Sequence, residues 1–488
     1  MPDAPNSRLA HRFYRDNGFD YVWIRPSGFS FAAKSFLSKL HDAESQGVDP
    51  EKLHADSISS MMDEMLRVFP VDRPSERLIA LEVGLTLAWF EYAQIVFRGL
   101  PDKTRHELQW FLPDRRMEMA STLQRFLSDS LSAENFNPLH VQYGWMVEQI
   151  RRLLAVNGSF WEQPLNVNRP LEVVCDSAKL SILRNRFIQL GDLDESAYGP
   201  GALSAAIRHF RLRHGLGDES ELNRETLEAL NVPPKERVRQ LLINLERCRW
   251  LPDADTGRFI VVNVPDFRLG YFHADALLWS CGVVVGKSKT PTAVFAGQIS
   301  EVVFNPYWYV PKSILEEELV PEFQQDPERV GRQHYEVVTR TRPPRVIQSS
   351  VDWDTVDVDR FPYDVRQTPG PWNPLGRIKF LFPNNFDMYL HDTPAKDLFG
   401  RRVRAFSHGC IRVEEPFRLL ELISDGEMAL KSSLTSQYFQ NREEVHVPLK
   451  SRVPVYIVYL TAWVDQNGLN FRDDVYGLDD LLEKELFK

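Results

Sequence analysis

A cysteine stands two residues after a histidine in the stretch Arg404-Ala405-Phe406-Ser407-His408-Gly409-Cys410-Ile411-Arg412-Val413-Glu414, with a glycine between them and an arginine two residues beyond. Nineteen residues upstream of the cysteine lies a second histidine, His391, in Tyr389-Leu390-His391-Asp392-Thr393-Pro394. A thiol, two imidazoles, a flexible hinge and a fixed cation are the components of a covalent acyl-transfer site. With a pKa of about 8.5, a free thiol is mostly protonated at neutral pH, so it needs a base or a positive field. His408 and His391 are the candidate bases, and Arg412 and Arg404 can supply the field.

If 408–412 is extended, side chains alternate and His408, Cys410 and Arg412 share one face. Spacing alone therefore favours His408 as the base. Gly409 allows a close backbone approach, so its amide and that of Cys410 are candidate oxyanion donors. A cation two residues from the nucleophile is a natural handle for a substrate carboxylate. Three plainer readings compete with this one. Cys410 can be an ordinary buried cysteine with His408 a packing histidine, and Arg412 can be a surface residue. His391, Asp392, His408 and Cys410 can also be read as zinc ligands, but their spacing matches no common zinc motif and no second cysteine is near.

The elements that must carry these residues belong to a long chain. At 488 residues it exceeds one ordinary core, and about two to four domains are expected. A net charge of −10 argues against nucleic acid as a partner, because phosphate binding needs a basic surface. No run of about 18 consecutive apolar residues occurs. The best candidate, residues 78–90, contains Glu82 and reads as a buried helix. The start of the chain, Met1-Pro2-Asp3-Ala4-Pro5-Asn6-Ser7, lacks the charged and apolar regions of a signal peptide, so the protein is either cytoplasmic or lacks its export signal in this form. Cys175, Cys248, Cys281 and Cys410 are too few for a disulfide scaffold, although a Cys175–Cys248 bridge is conceivable.

Residues 8–172 read as a helical scaffold domain. Tyr143, Met146, Val147, Ile150, Leu153 and Leu154 form one apolar helical face. Residues 173–233 contain a compact three-helix unit, with faces built on Leu180, Leu183, Phe187 and Leu190, on Leu203, Ile207 and Phe210, and on Leu227 and Leu230. From residue 258 onward β-type runs dominate, which makes 240–465 a β-rich catalytic domain. Its charged, proline-containing stretch 315–365 reads as an inserted lid, with a helix expected over 313–322. Residues 466–488 are left as a C-terminal tail. The fold class is thus multidomain α+β.

Residues 176–231 resemble the type 1 peptidoglycan-binding domain, through Leu190-Gly191-Asp192-Leu193, Ala206-Ile207-Arg208-His209-Phe210, His214-Gly215-Leu216 and Thr226-Leu227. His391, followed by Ser407-His408-Gly409-Cys410, resembles the signature of L,D-transpeptidases of the YkuD fold. Asn305-Pro306-Tyr307-Trp308-Tyr309-Val310-Pro311, the stretch Gly370-Pro371-Trp372-Asn373-Pro374-Leu375-Gly376-Arg377-Ile378-Lys379-Phe380, and His391-Asp392-Thr393-Pro394 extend the likeness to the large Gram-negative subgroup. One departure stands out: the general family has asparagine where this chain has Arg412, as that subgroup does.

The resemblance implies a peptidoglycan L,D-transpeptidase. Such an enzyme cleaves the bond between meso-diaminopimelate and D-alanine in a tetrapeptide stem and makes 3→3 cross-links through a cysteine acyl-thioester. An L,D-carboxypeptidase on the same site and an inactive wall-binding scaffold are the alternatives. Carried over by position, Cys410 is the nucleophile and His391 the base. His408, Gly409 and Tyr389 support the oxyanion, and Arg412, Trp308, Ser407 and Arg404 are candidate substrate contacts. The resemblance also implies tetrapeptide donor and acceptor stems as partners, no cofactor, reaction with carbapenems and a periplasmic location. A membrane tether from an N-terminal signal or anchor outside this sequence, and wall-synthesis partners, stay open.

Overall fold

The computed structural model describes residues 6–70, 75–113, 117–128, 139–252, 257–274, 276–347, 351–424, 430, 432–441 and 443–487. Residues 1–5, on which the signal-peptide reading partly falls, lie outside them. The chain divides into two compact units, residues 1–254 with 460–488, and residues 255–459.

The first unit is built on the helix Glu76–Ala93, which starts where Ser75 accepts from the Leu78 amide. By length and apolarity the stretch Glu76–Glu107 could cross a membrane, but 56% of its most apolar window is buried inside the protein. Its one buried carboxylate explains how it is used. Glu82 accepts hydrogen bonds from the backbone amides of Val22 (2.7 Å), Trp23 (3.1 Å) and Ile24 (3.1 Å) and from the Tyr14 hydroxyl (3.0 Å). A buried carboxylate so saturated pins the preceding chain to the helix. The helix Val141–Leu154 buries Tyr143, Met146, Val147, Ile150 and Leu153, the face expected from their spacing.

Three further helices, Ser177–Gln189, Pro200–Arg213 and Arg224–Asn231, enclose their own core around Leu183, Phe187, Ile207, Phe210, Leu227 and Leu230. Asp176 and Asn223 cap the first and third by accepting from backbone amides. At the end of the second helix, His214 stacks between Phe210 (3.8 Å between centroids) and Phe471 (5.4 Å).

Phe471 belongs to the segment expected to be a tail, which is instead ordered. Ala462–Asp465 and Gly468–Phe471 form an antiparallel hairpin, and Leu478–Leu486 is a helix. The physical reason is a buried charge on the helix Pro234–Arg249. Arg247 meets Asp479 at 2.5 Å, and Asp479 in turn accepts from Thr461 at 2.6 Å. All four cysteines are free thiols. Cys175 is exposed and Cys248 buried against Met146, so the conceivable bridge between them does not form.

In the second unit, the strands β1 (Arg258–Asn263), β2 (Arg268–His273), β3 (Ala276–Gly286), β4 (Val294–Phe304), β5 (Ile378–Leu381), β6 (Leu390–His391), β7 (Ala405–Ser407), β8 (Ile411–Val413) and β9 (Val445–Val458) form one sheet. Its path runs β5–β6–β8–β3–β2–β1–β9–β4 and closes where β4 pairs with β5, while β7 pairs with β3 beside that path. Closure removes the sheet edges. Alternation then gives each strand two faces. One face is fully buried and includes Ile260, Val283, Val302, Phe380, Leu390 and Ile411. The opposite face carries Lys379, His391 and Arg412 on three adjacent strands.

The inserted stretch between β4 and β5 is wider than 315–365. Trp308–Tyr309, Tyr363–Gln367 and Tyr335–Thr339 make a three-stranded antiparallel sheet, with the middle segment central. Helical turns run without a break from Lys312 to Gln325, and Leu315, Leu319, Phe323, Trp353 and Phe361 form a separate small core.

Candidate active site

Strand pairing, not sequence proximity, assembles the site. β6 lies parallel to β8 with Leu390 opposite Ile411 and His391 opposite Arg412, and the Ile411 amide donates to the Tyr389 carbonyl at 3.1 Å. Leu390 and Ile411 point into the core. By alternation Tyr389 and His391 share the other face with Cys410 and Arg412 on the neighbouring strand. On the far side of β6, β5 sets Lys379 opposite His391. The imidazole therefore sits in a cross-strand row between two cationic side chains. The Lys379 ammonium also lies 3.7 Å over the Tyr389 ring, whose centroid is 5.6 Å from that of His391.

The turn before the cysteine is a closed hydrogen-bond circuit. Gly409 has φ +114°, a conformation that L-residues rarely adopt, and a Cβ there would sit 3.3 Å from the Met388 methyl carbon. Ser407 Oγ accepts from the Gly409 amide (3.2 Å) and donates to the Cys410 carbonyl (2.5 Å). Thr292 Oγ1 accepts from the Gly286 amide (2.9 Å) and donates to the Gly409 carbonyl (2.7 Å). Ser407, placed among the substrate contacts by resemblance, is buried and has a turn-building role.

This turn breaks the alternation on which the local reading relied. His408 is not in a strand with Cys410, and its Nε2 lies 3.0 Å from Glu318 Oε1 of the inserted subdomain and 3.2 Å from the Lys287 ammonium. Among the described residues no hydrogen bond joins His408 to the thiol. The Gly409 amide, expected as an oxyanion donor, is already engaged by Ser407. Arg404, expected to supply field or to hold substrate, directs its guanidinium to the carbonyls of Val283, Phe399, Arg401 and Phe267. Trp308 packs in the inserted subdomain, 6.3 Å from the Tyr335 ring.

Around the thiol the electrostatics are asymmetric. Burial pushes the Cys410 thiol up, opposed by hydrogen bonds from Tyr389 and by the Lys379 charge, and Sγ lies 3.8 Å from the Asp387 carbonyl. Burial, then the Arg412 charge, hold the His391 imidazole down at about 3. His391 Nδ1 lies 2.5 Å from the Asp392 carbonyl, which can only accept, so Nδ1 carries the proton and Nε2 is the bare nitrogen. Burial also raises the Tyr389 hydroxyl well above its usual range, so it is a donor. The resting site thus holds a neutral thiol and a neutral imidazole rather than a preformed ion pair. By contrast Cys248 and Cys281 are pushed up to about 12 by burial and are inert.

Lys379 and Arg412 stand out by what they lack. Both are half-buried, and burial lowers them below their ordinary values, opposed for Lys379 by the charges of Cys410, Glu444 and Glu301; among the described residues neither has a hydrogen bond or a carboxylate within ion-pair distance. The Arg412 Nε is buried and unbonded. Lys379 escaped the sequence reading. Its signal was an ionisable residue between Ile378 and Phe380, both of which face the core. Asp392, read only as a zinc candidate, accepts from the Arg377 amide and pairs with Lys396 at 2.9 Å each.

Comparison with known proteins bears on both units. Residues 257–445 match the model of the YkuD family, described as an L,D-transpeptidase catalytic domain, and residues 8–150 match that of the Scaffold domain. A Haemophilus influenzae protein, whose name as an L,D-transpeptidase is itself provisional, is 32% identical over 269 residues, which are 54% of this chain and 54% of that protein. The chain thus spans about half the length of this curated relative.

Proposed function

We propose that the protein forms 3→3 meso-diaminopimelate cross-links in peptidoglycan, a reading supported by the match of residues 257–445 to the YkuD family of L,D-transpeptidase catalytic domains and of residues 8–150 to the Scaffold domain. Cys410 is the nucleophile and His391 its base. The observation that carries this reading is the β5–β6–β8 register, which sets His391 in the row beside Cys410, with an unprotonated Nε2, between the cations of Lys379 and Arg412.

Because both partners rest neutral, proton transfer accompanies attack. The Cys410 sulfur bonds to the carbonyl carbon of the donor's diaminopimelate residue as its proton passes to His391 Nε2. The Tyr389 hydroxyl and the Cys410 amide are donors suited to the oxyanion. As the tetrahedral species collapses, the C–N bond breaks, His391 returns the proton to the departing amine, and D-alanine leaves. An amine of a second stem then attacks the thioester, losing a proton to His391 and releasing the thiolate, which recovers a proton. The cations that keep His391 neutral at rest favour the anionic sulfur and oxyanion in the transition state, so one charge arrangement serves both needs.

The three-helix module of residues 173–233 is assigned to holding the cell wall, and such a substrate places the protein in the periplasm. Supplying purified tetrapeptide muropeptides tests the reading: free D-alanine should appear together with cross-linked dimers. Monomeric tripeptide as the sole product would replace transpeptidation by an L,D-carboxypeptidase activity. No release of D-alanine would reject both.

A further inference from the structure

Lys379 and Arg412 pose a problem that the reaction chemistry leaves open. A buried charge without a partner loses its hydration with no return, and such groups persist in folded proteins where something else neutralises them. Arg404, on the same domain, shows the ordinary solution, with its guanidinium donating to four backbone carbonyls. Lys379 has the face of the Tyr389 ring and the more distant charges of Glu444 and Glu301, and among the described residues the Arg412 Nε has no hydrogen-bond partner. Their strands flank that of His391 on opposite sides, so two strand spacings, roughly 9.6 Å, separate their backbones. Both side chains are long enough to converge on one small anion beside the thiol.

We propose that Lys379 and Arg412 together form a subsite for the terminal carboxylate of the residue that leaves, making Lys379 a specificity-determining residue for donors with a free C-terminus. The inference rests on the acyl-transfer reading above and deepens it. Covalent geometry supports the match. In a donor ending one residue beyond the scissile carbonyl, three bonds of about 1.3–1.5 Å separate the carbonyl carbon from the carboxylate carbon. A carboxylate that near must lie within reach of a residue two positions from the nucleophile. A donor extended by one more residue has an uncharged amide at this point, and both half-buried cations would then be left without a close counter-charge. Discrimination against it follows from that unpaired burial, which is how sites built around polar partners reject analogues lacking them.

The test uses the whole chain with two tetrapeptide donors, one ending in the D-alanine carboxylate and one in its carboxamide, and reads D-alanine or D-alaninamide release. The unsubstituted protein should prefer the acid by about 100-fold in kcat/KM, the scale of a charge-assisted contact pair. In Lys379→Met that preference should fall about tenfold, chiefly through KM for the acid, and the melting temperature should hold or rise because a half-buried charge without an ion pair is gone. Lys379→Arg, which keeps the cation, should retain most of the preference. An unchanged acid-to-amide ratio in Lys379→Met overturns the proposal. So does an unsubstituted protein that uses both donors equally, an outcome that needs no variant to fold. A fall in melting temperature with the ratio intact would make Lys379 a structural residue. Loss of all turnover on both donors by the unsubstituted protein would reject the acyl-transfer reading itself, and the subsite with it.

Discussion

In the first unit the buried Arg186 guanidinium donates to the carbonyls of Phe160, Gln163 and Leu230 and to the Asn231 side chain, all between 2.8 and 3.1 Å. Glu82 and Arg247 are treated alike, with a full set of partners for each buried charge. On the outer face of the second unit's barrel, Lys379 and Arg412 are half-buried and, among the described residues, have neither a hydrogen bond nor an ion pair. Arg186, Glu82 and Arg247 thus have their charges met where they hold structure, and the two cations beside the thiol have no ion pair among the described residues. Charge burial alone does not mark a site; burial without partners does.

The contrast can be broken by substitution. Arg186→Met should cost the first unit about 3 kcal/mol in urea unfolding, because several buried acceptors lose their donor at once. Arg412→Met, an equally drastic change on paper, should leave the unfolding midpoint of the second unit unchanged or higher while lowering kcat/KM about 30-fold. Equal destabilisation by both variants would dissolve the distinction. Arg404→Met sharpens it within the catalytic domain: although six residues from Cys410, it should lower stability by about 2 kcal/mol and leave the acid-to-amide donor preference intact.

A smaller effect comes from His391. Its folded value of about 3 lies below the ordinary 6.5, so the unfolded chain binds a proton in that window and the native state does not. Stability attributable to this group is therefore complete above pH 6.5 and declines as pH falls towards 3, by at most about 1.4 kcal/mol per pH unit. His391→Asn should flatten that part of the acid dependence when unfolding is compared at pH 7 and pH 6. The same value predicts an acid limb of kcat/KM well below 6.5.

What the sequence disclosed followed the range of the interactions. Cys410 and its neighbours were visible as a local motif, and the helix over 78–90 was recognisable because its apolar run is interrupted by little more than Glu82 and Thr86. The turn at Gly409 was not. A positive φ there takes His408 out of the row that period-two spacing implied. His391 reached the site only through the family likeness, because a parallel strand pair 19 residues apart leaves no periodic trace. Arg404 and Ser407 looked like site residues since residue type cannot reveal that their donors serve nearby carbonyls. The C-terminal segment seemed a tail because the demand it meets, an anion for Arg247, lies more than 200 residues away.

Intact-mass spectrometry after incubation with a carbapenem tests the central assignment most directly, since it requires only a competent acyl-accepting thiol. One covalent adduct on the unsubstituted protein, mapped to the Cys410 peptide and absent from Cys410→Ala, is the predicted result. An unmodified protein, or the same adduct on Cys410→Ala, would contradict the assignment of Cys410 as the nucleophile.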